Sequence, residues 1–425
     1  MRKMKDSGVE WVGEIPSDWN LVPTKRIFRN EKRIVGTAVD EYERLALTMN
    51  GVIRRSKDDS EGLQPEKFEG YQILCKNELV FKLIDLENVK TSRVGLSPYT
   101  GLVSPAYIIL TNTQEDNRFY YYWFMFMYYN EVFNHLGGDG VRSALNARDL
   151  LVLPVPNITA EHRTRIADYL DSKCAKIDAV IVRQQEAIEK LKAYKLSVIT
   201  EAVTKGLNPD VPMKDSGHHF IGTIPKHWTA MRTKQIAVAI GDGIHTTPEY
   251  DVDGDYYFLN GNNIGADSLI FKESTDRLSI QEYQKYKVPL LNEETILITL
   301  NGATYGKTSF YHGEKVLLGK SAGYITLNGV VNKSYIRYYL QSRVARTIME
   351  LSLCGSTIAN LSLKTLNNFY IPLPSRDEQD TITMYLDQRC AQINSIISGR
   401  QSIIDKLVEY KKSLIYEVVT GKREV

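Results

Sequence analysis

The sequence predicts an α+β protein built as an internal pseudo-two-fold repeat, in which two mixed α/β domains are joined by two long antiparallel helices forming a coiled coil. Three observations predict this. First, Leu153-Pro154-Val155-Pro156 returns as Ile371-Pro372-Leu373-Pro374, and Tyr169-Leu170-Asp171, Cys174, Ile177, Ile188 and Leu191 recur as Tyr385-Leu386-Asp387, Cys390, Ile393, Ile404 and Leu407. Second, Met4-Lys5-Asp6-Ser7-Gly8 with Ile15-Pro16 and Trp19 reappears as Met213-Lys214-Asp215-Ser216-Gly217 with Ile224-Pro225 and Trp228. Third, a heptad seam fills the last part of each copy, whereas the first part alternates short apolar runs with Gly, Asn, Asp and Pro turns. One unit written twice acts as a pseudo-dimer, which suits a target that itself comes in two halves.

The expected boundaries are a first domain over 1–155, a helical region over 156–207, a second domain over 208–374 and a second helical region over 375–425. In the first domain, Ile73-Leu74-Cys75, Leu79 to Leu83 and Val103 to Leu110 read as strands of a curved sheet. The Tyr-rich run from Phe119 to Phe133 carries Asn130 and Glu131, and its uninterrupted part falls well short of the roughly 18 residues that cross a bilayer, so it reads as a buried helix. Arg54-Arg55-Ser56-Lys57 follows the turn signal Asn50-Gly51 and reads as a basic loop, as do Thr91-Ser92-Arg93 and Gly140-Val141-Arg142-Ser143. Such charges either meet a polyanion or are simply solvated.

The helices follow from spacing. Leu170, Cys174, Ile177, Ile181, Gln184, Ile188, Leu191 and Lys195 step by four and three, and Leu386, Cys390, Ile393, Ile397, Arg400, Ile404, Leu407 and Lys411 take the same steps. The seam is polar at the same two places in each copy, Gln184 with Arg400 and Lys195 with Lys411. These residues either fix register and partner or lift their heads out of the seam. Ser375 followed by Glu378 predicts a capping box at the second helix start, and Gly206 with Pro209 ends the first. At roughly 1.5 Å per residue, a helix of about 44 residues is about 60 Å long, enough to act as a ruler. A closed two-fold pairing of the two copies reverses one helix against the other, which also separates Cys174 from Cys390.

In the second domain Thr295 to Leu300 reads as a strand, and Tyr338-Tyr339 stands where the first domain has Tyr121-Tyr122. Gly243-Ile244-His245-Thr246-Thr247-Pro248 presents an imidazole and two hydroxyls on a loop, with no second ligand at metal spacing; His245 either contacts a ligand or holds the loop. Gly302-Ala303-Thr304-Tyr305-Gly306-Lys307-Thr308 has three residues between its glycines where a P-loop needs four, and strand and turn follow it instead of a helix. This argues against a nucleotide site; the loop either meets a phosphodiester through its backbone amides and Lys307 or is a plain turn.

Composition sets limits. With 53 Lys and Arg against 51 Asp and Glu the chain carries only +2, so any basic surface must be local. The four cysteines Cys75, Cys174, Cys354 and Cys390 have no C-x-x-C spacing, which predicts neither zinc nor disulfides and fits a reducing cytoplasm. The charged start lacks an apolar secretory core. There is no methyltransferase N-P-P-Y motif, serine elbow or H-E-x-x-H, so the chain is not expected to be an enzyme.

The Ile-Pro-x-x-Trp segments at Ile15 to Trp19 and Ile224 to Trp228, together with Gly241 to Pro248, Gly302 to Lys307 and Pro372 to Asp387, resemble the DNA-specificity subunit of type I restriction-modification enzymes over the whole chain. One departure is that Glu378-Gln379 is His162-Arg163 in the first copy. The resemblance implies two target recognition domains, each reading one half of a bipartite site in double-stranded DNA, and a helical spacer region between the halves. It further implies two methyltransferase subunits docked on the chain and restriction subunits joined to them. S-adenosylmethionine, ATP and Mg²⁺ would then sit on those partners and none in this chain. The DNA-contacting candidates are Arg54, Arg55, Lys57, Arg93, Arg142, His245, Thr246, Thr247, Tyr305 and Lys307. The alternatives are a coiled-coil scaffold without DNA binding and a stand-alone nuclease.

Overall fold

A computed structural model describes residues 2–49, 51–56, 67–84, 93–112, 116–135, 144–266, 268–286, 291–353 and 360–425. The chain divides into two compact units. The first joins Met1–Gln184 to Ser402–Val425, and the second is Gln185–Gln401. Each unit therefore takes one globular region, one half of the helix Ala160–Lys205 and one half of the helix Arg376–Val419.

The first unit opens with a hairpin, Met4–Asp6 against Glu14–Pro16, and then pairs Asn20–Pro23 antiparallel with Pro154–Asn157. Between them lie two sheets. One runs in the order Gly51–Arg55, Arg44–Thr48, Gly101–Val103, Gln72–Leu74, and the other in the order Ile108–Leu110, Leu79–Lys82, Arg93–Leu96. Gly95 permits their close approach, since a Cβ there would lie 2.5 Å from Leu47 Cδ1. The run Val103 to Leu110 is thus two strands, not one, because Ser104 and Pro105 enter a turn closed by Tyr107 N donating to Ser104 O at 3.1 Å. The aromatic helix Arg118–Tyr129 packs Phe119, Tyr120, Trp123, Phe124 and Phe126 into the core beside Phe28 and Phe81. Phe81 and Phe124 meet edge to face at 5.0 Å.

The second unit repeats this frame. Met213–Asp215 pairs with Thr223–Pro225, and Thr229–Arg232 with Tyr370–Leu373. Its four-stranded sheet runs Ala237–Asp242, Ala322–Leu327, Thr295–Thr299, Thr308–Phe310, and a smaller sheet runs Arg277–Leu278, Tyr256–Leu259, Val316–Leu318. Side-chain caps start its helices. Asn332 accepts from Tyr335 N at 3.0 Å for Lys333–Gln341, and Ser342 accepts from Ala345 N at 3.2 Å for Arg343–Ser352.

Within each unit the two helix halves run antiparallel. In the first, Leu170, Cys174 and Ile177 share a core with Leu414, Ile415 and Val418; in the second, Val198, Ala202 and Val203 share one with Ile382, Leu386 and Cys390. Leu170, Ile177, Ile188, Leu386, Ile393 and Ile404 are buried, and Ile181, Leu191, Ile397 and Leu407 are half-buried. The seam lysines are bonded. Lys411 Nζ meets Asp178 Oδ2 at 2.7 Å, and Lys195 Nζ donates to Asn394 Oδ1 at 2.9 Å. Gly206, with φ of +78°, ends the first helix in the left-handed conformation that glycine adopts without strain.

Strand pairing corrects the register of the repeat. Pro154 lies opposite Pro23, whereas Tyr370 lies opposite the matching Arg232, so Pro156 answers to Pro372 and Pro154 to Tyr370. Two further bonds agree. Trp123 Nε1 donates to Pro154 O at 3.0 Å and Tyr339 Oη to Tyr370 O at 2.7 Å, which pairs Trp123 with Tyr339 and Tyr122 with Tyr338. Sequence alone aligned the more obvious Pro-x-Pro pattern and slid by two residues. The capping box at Ser375 is also only half made. Ser375 Oγ accepts from Glu378 N at 3.4 Å, but the Glu378 carboxylate accepts from Trp228 instead of reaching back.

Candidate nucleic-acid interface

In the second unit the strand registers bring two candidate loops to one end of the four-stranded sheet. Asp242 pairs with Gly323 and Thr299 with Ala322, so the loops that follow Asp242 and Thr299 emerge at the same end of the sheet, on either side of the strand Ala322–Leu327. The first loop is built on Gly243, where a Cβ would lie 2.0 Å from Leu318 O, and Ile244 N donates to that same carbonyl at 2.8 Å. Beyond this anchor His245, Thr246 and Thr247 are exposed, and His245 Nε2 lies 2.9 Å from Asp242 Oδ2. The histidine is thereby oriented by a carboxylate three residues earlier.

The second loop turns at Gly302 and Gly306, with φ of +80° and +78°. Gly306 N donates back to Thr299 O and Thr299 N to Lys307 O, both at 2.8 Å, which makes a closed turn at the sheet end. Tyr305 and Lys307 line a cavity of about 520 Å³.

 Thr308, Gln341 and Arg346 line the same cavity. Lys307 and Arg346 are both exposed. Sequence reading missed Arg346 because it lies on the helix Arg343–Ser352, far along the chain from the loop it joins.

In the first unit Arg54 and Arg55 belong to the edge strand Gly51–Arg55 and not to a loop. Arg54 Nε meets Glu43 Oε2 at 2.9 Å, and its guanidinium lies 4.6 Å from the centre of the Tyr99 ring. Arg93 starts the strand Arg93–Leu96, where it pairs with Lys82. Lys57 and Arg142 lie outside the described residues. Among the described candidates the first unit thus offers cations on strands and the second offers polar loops.

Each globular region is tied to its helix at an equivalent aspartate. Tyr122 Oη donates to Asp171 Oδ1 at 2.7 Å, and Tyr338 Oη to Asp387 Oδ1 at 2.6 Å. Burial and the neighbouring carboxylate push both phenols well above their ordinary value. Arg118 adds bonds to Asp168 at 2.8 Å and Asp171 at 2.6 Å in the first unit. Among the described residues no group of three or more His, Cys, Asp or Glu is placed to hold a metal ion, and no helix is long and apolar enough to cross a membrane.

Residues 225–405 match the family model described as the type I restriction modification DNA specificity domain. The chain is 22% identical over 434 residues to the putative type I restriction enzyme MjaX specificity subunit of Methanocaldococcus jannaschii, covering 97% of this chain and 96% of that one. Along almost its whole length the chain is thus similar to a type I restriction enzyme specificity subunit. The MjaVIII specificity subunit of the same organism is 24% identical over 279 residues, which cover 64% of this chain and 62% of the relative, less than two thirds of its length. A solved structure reported for complex assembly and conformational transition of the type I R-M system covers 96% of this chain and 99% of its own at a TM-score of 0.65 and 16% identity, and so shares the fold. Specificity subunits are the non-catalytic members of these systems.

Proposed function

We propose that this specificity subunit reads a bipartite, asymmetric site in double-stranded DNA, one half with each globular region, while the paired helices set the unread spacer and dock two methyltransferase subunits. Restriction subunits join that complex, and S-adenosylmethionine, ATP and Mg²⁺ are held by the partners, in the cytoplasm. The observation that carries the reading is a duplicated frame with unlike tips. The Trp19 and Trp228 hairpins and the Asp171 and Asp387 ties recur, whereas among the described residues the His245 to Thr247 loop of one unit and the Arg54 strand of the other are built differently. Repeated frames support two readers, and unlike tips support two different sequences.

Comparing the methylome of the host with and without the gene tests this. A split, asymmetric motif that disappears with the gene is expected, and a single continuous palindrome contradicts the reading. The scaffold alternative predicts no salt-dependent binding of duplex DNA by the assembled complex.

A further inference from the structure

The loop that carries His245, Thr246 and Thr247 is held at both ends. Its start rests on Leu318 O through Gly243 and Ile244. Its far end rests on a carboxylate, because Glu249 N donates to Glu282 Oε1 at 3.1 Å. Glu282 is only 5% exposed and belongs to the short helix Ile280–Gln284, which Ser279 caps by accepting from Glu282 N at 3.2 Å. The same Oε1 accepts from Tyr286 Oη at 3.0 Å, and Lys285 Nζ meets Oε2 at 2.5 Å. Tyr256 and Tyr283 stack at 4.0 Å and fasten this helix to the strand Tyr256–Leu259. A buried carboxylate is retained only when its oxygens are satisfied, and here a loop amide is one of the groups that satisfies them.

We propose that Glu282 is a positioning residue for sequence readout, which fixes the His245-Thr246-Thr247 segment against the sheet so that its side chains meet one half-site in a set geometry. The inference rests on the DNA-reading function proposed above. Glu282 itself touches no DNA; it acts through Glu249 N. A freed loop would still bring the same hydroxyls and imidazole to the groove, but in many orientations, so discrimination falls before affinity does.

The test uses the full chain assembled with its methyltransferase subunits and duplexes carrying the methylation site mapped in the host, with single base-pair changes in either half. Glu282→Ala should lower discrimination in the second unit's half-site by about tenfold, within the range of one misread base pair, and leave the other half unchanged. Glu282→Gln keeps an acceptor for Glu249 N and should restore most of it. Tyr286→Phe removes one bond to the carboxylate and should relax the same half more weakly, which keeps the test decisive if Glu282→Ala does not fold. Unchanged discrimination in folded Glu282→Ala, equal loss in both halves, or equal loss in the Ala and Gln variants overturns the inference. Wild-type complex that binds all duplexes alike overturns instead the DNA-reading function on which it rests.

Discussion

Trp228 Nε1 donates to Glu378 Oε1 at 3.1 Å, and the matching indole of Trp19 is buried without an acceptor among the described residues, where His162 stands in place of Glu378. His227 adds Nε2 at 2.9 Å from Glu378 Oε2. The same joint between hairpin and helix is therefore hydrogen-bonded in one unit, whereas in the other the Trp19 ring packs edge to face on Phe119 at 6.4 Å under the Arg2 guanidinium, 5.5 Å from its centre.

Glu378→Ala should leave a buried indole N–H unsatisfied and destabilise the chain by about 1–3 kcal/mol, whereas His162→Ala should cost much less. Denaturant unfolding followed by tryptophan fluorescence measures both. Equal effects would show that the bond to Trp228 contributes nothing.

The seam offers a charge exchange. Asp178 accepts from Lys411 in the first unit and Asn394, its repeat counterpart, accepts from Lys195 in the second. Asn394→Asp should turn the second bond into an ion pair and stabilise by a few tenths of a kcal/mol up to about 1 kcal/mol, screened because Asp178 shows such partners to be half in water. The gain should fade as salt rises; a gain that persists in high salt has another cause.

Acid should loosen the Arg118 tie. Burial alone would raise the Asp116 carboxyl, but hydrogen bonds from Arg118 outweigh it and hold the group below its ordinary value of 3.8. A depressed folded value means that the stability is present above 3.8 and is lost as pH falls through the folded value. Arg118→Ala should therefore remove part of the acid dependence of unfolding, read as melting temperature against pH. Parallel curves for the two proteins would contradict it.

If the helices set the spacer, inserting one heptad into each should lengthen the pairing by roughly 10 Å, or about three base pairs. Methylome mapping of a folded insertion variant measures the spacing. An unchanged spacer sinks the ruler.

The frame was legible because periodicity survives in sequence. The 4-3 steps from Leu170 and Leu386 and the repeated Trp19 and Trp228 hairpins gave the helices, their pairing and the repeat. The exchange of helix halves between units was not legible, since contacts such as Lys411 with Asp178 span more than two hundred residues. Arg54 was misplaced in a loop because a turn signal at Gly51 marks a hairpin as readily as a coil, and the strand Arg44–Thr48 that pairs with it decides between them. Glu282 and Arg346 carried no motif; only tertiary contact singles them out.

Binding of the assembled methyltransferase complex to duplexes with one half-site scrambled, for the wild type and for Lys307→Ala and Arg54→Ala, tests the two-reader account most directly. The account predicts that Lys307→Ala weakens or relaxes only the second unit's half-site and Arg54→Ala only the first's, by about 1–3 kcal/mol where a base contact is lost. A folded Lys307→Ala complex that loses discrimination equally in both halves would contradict it.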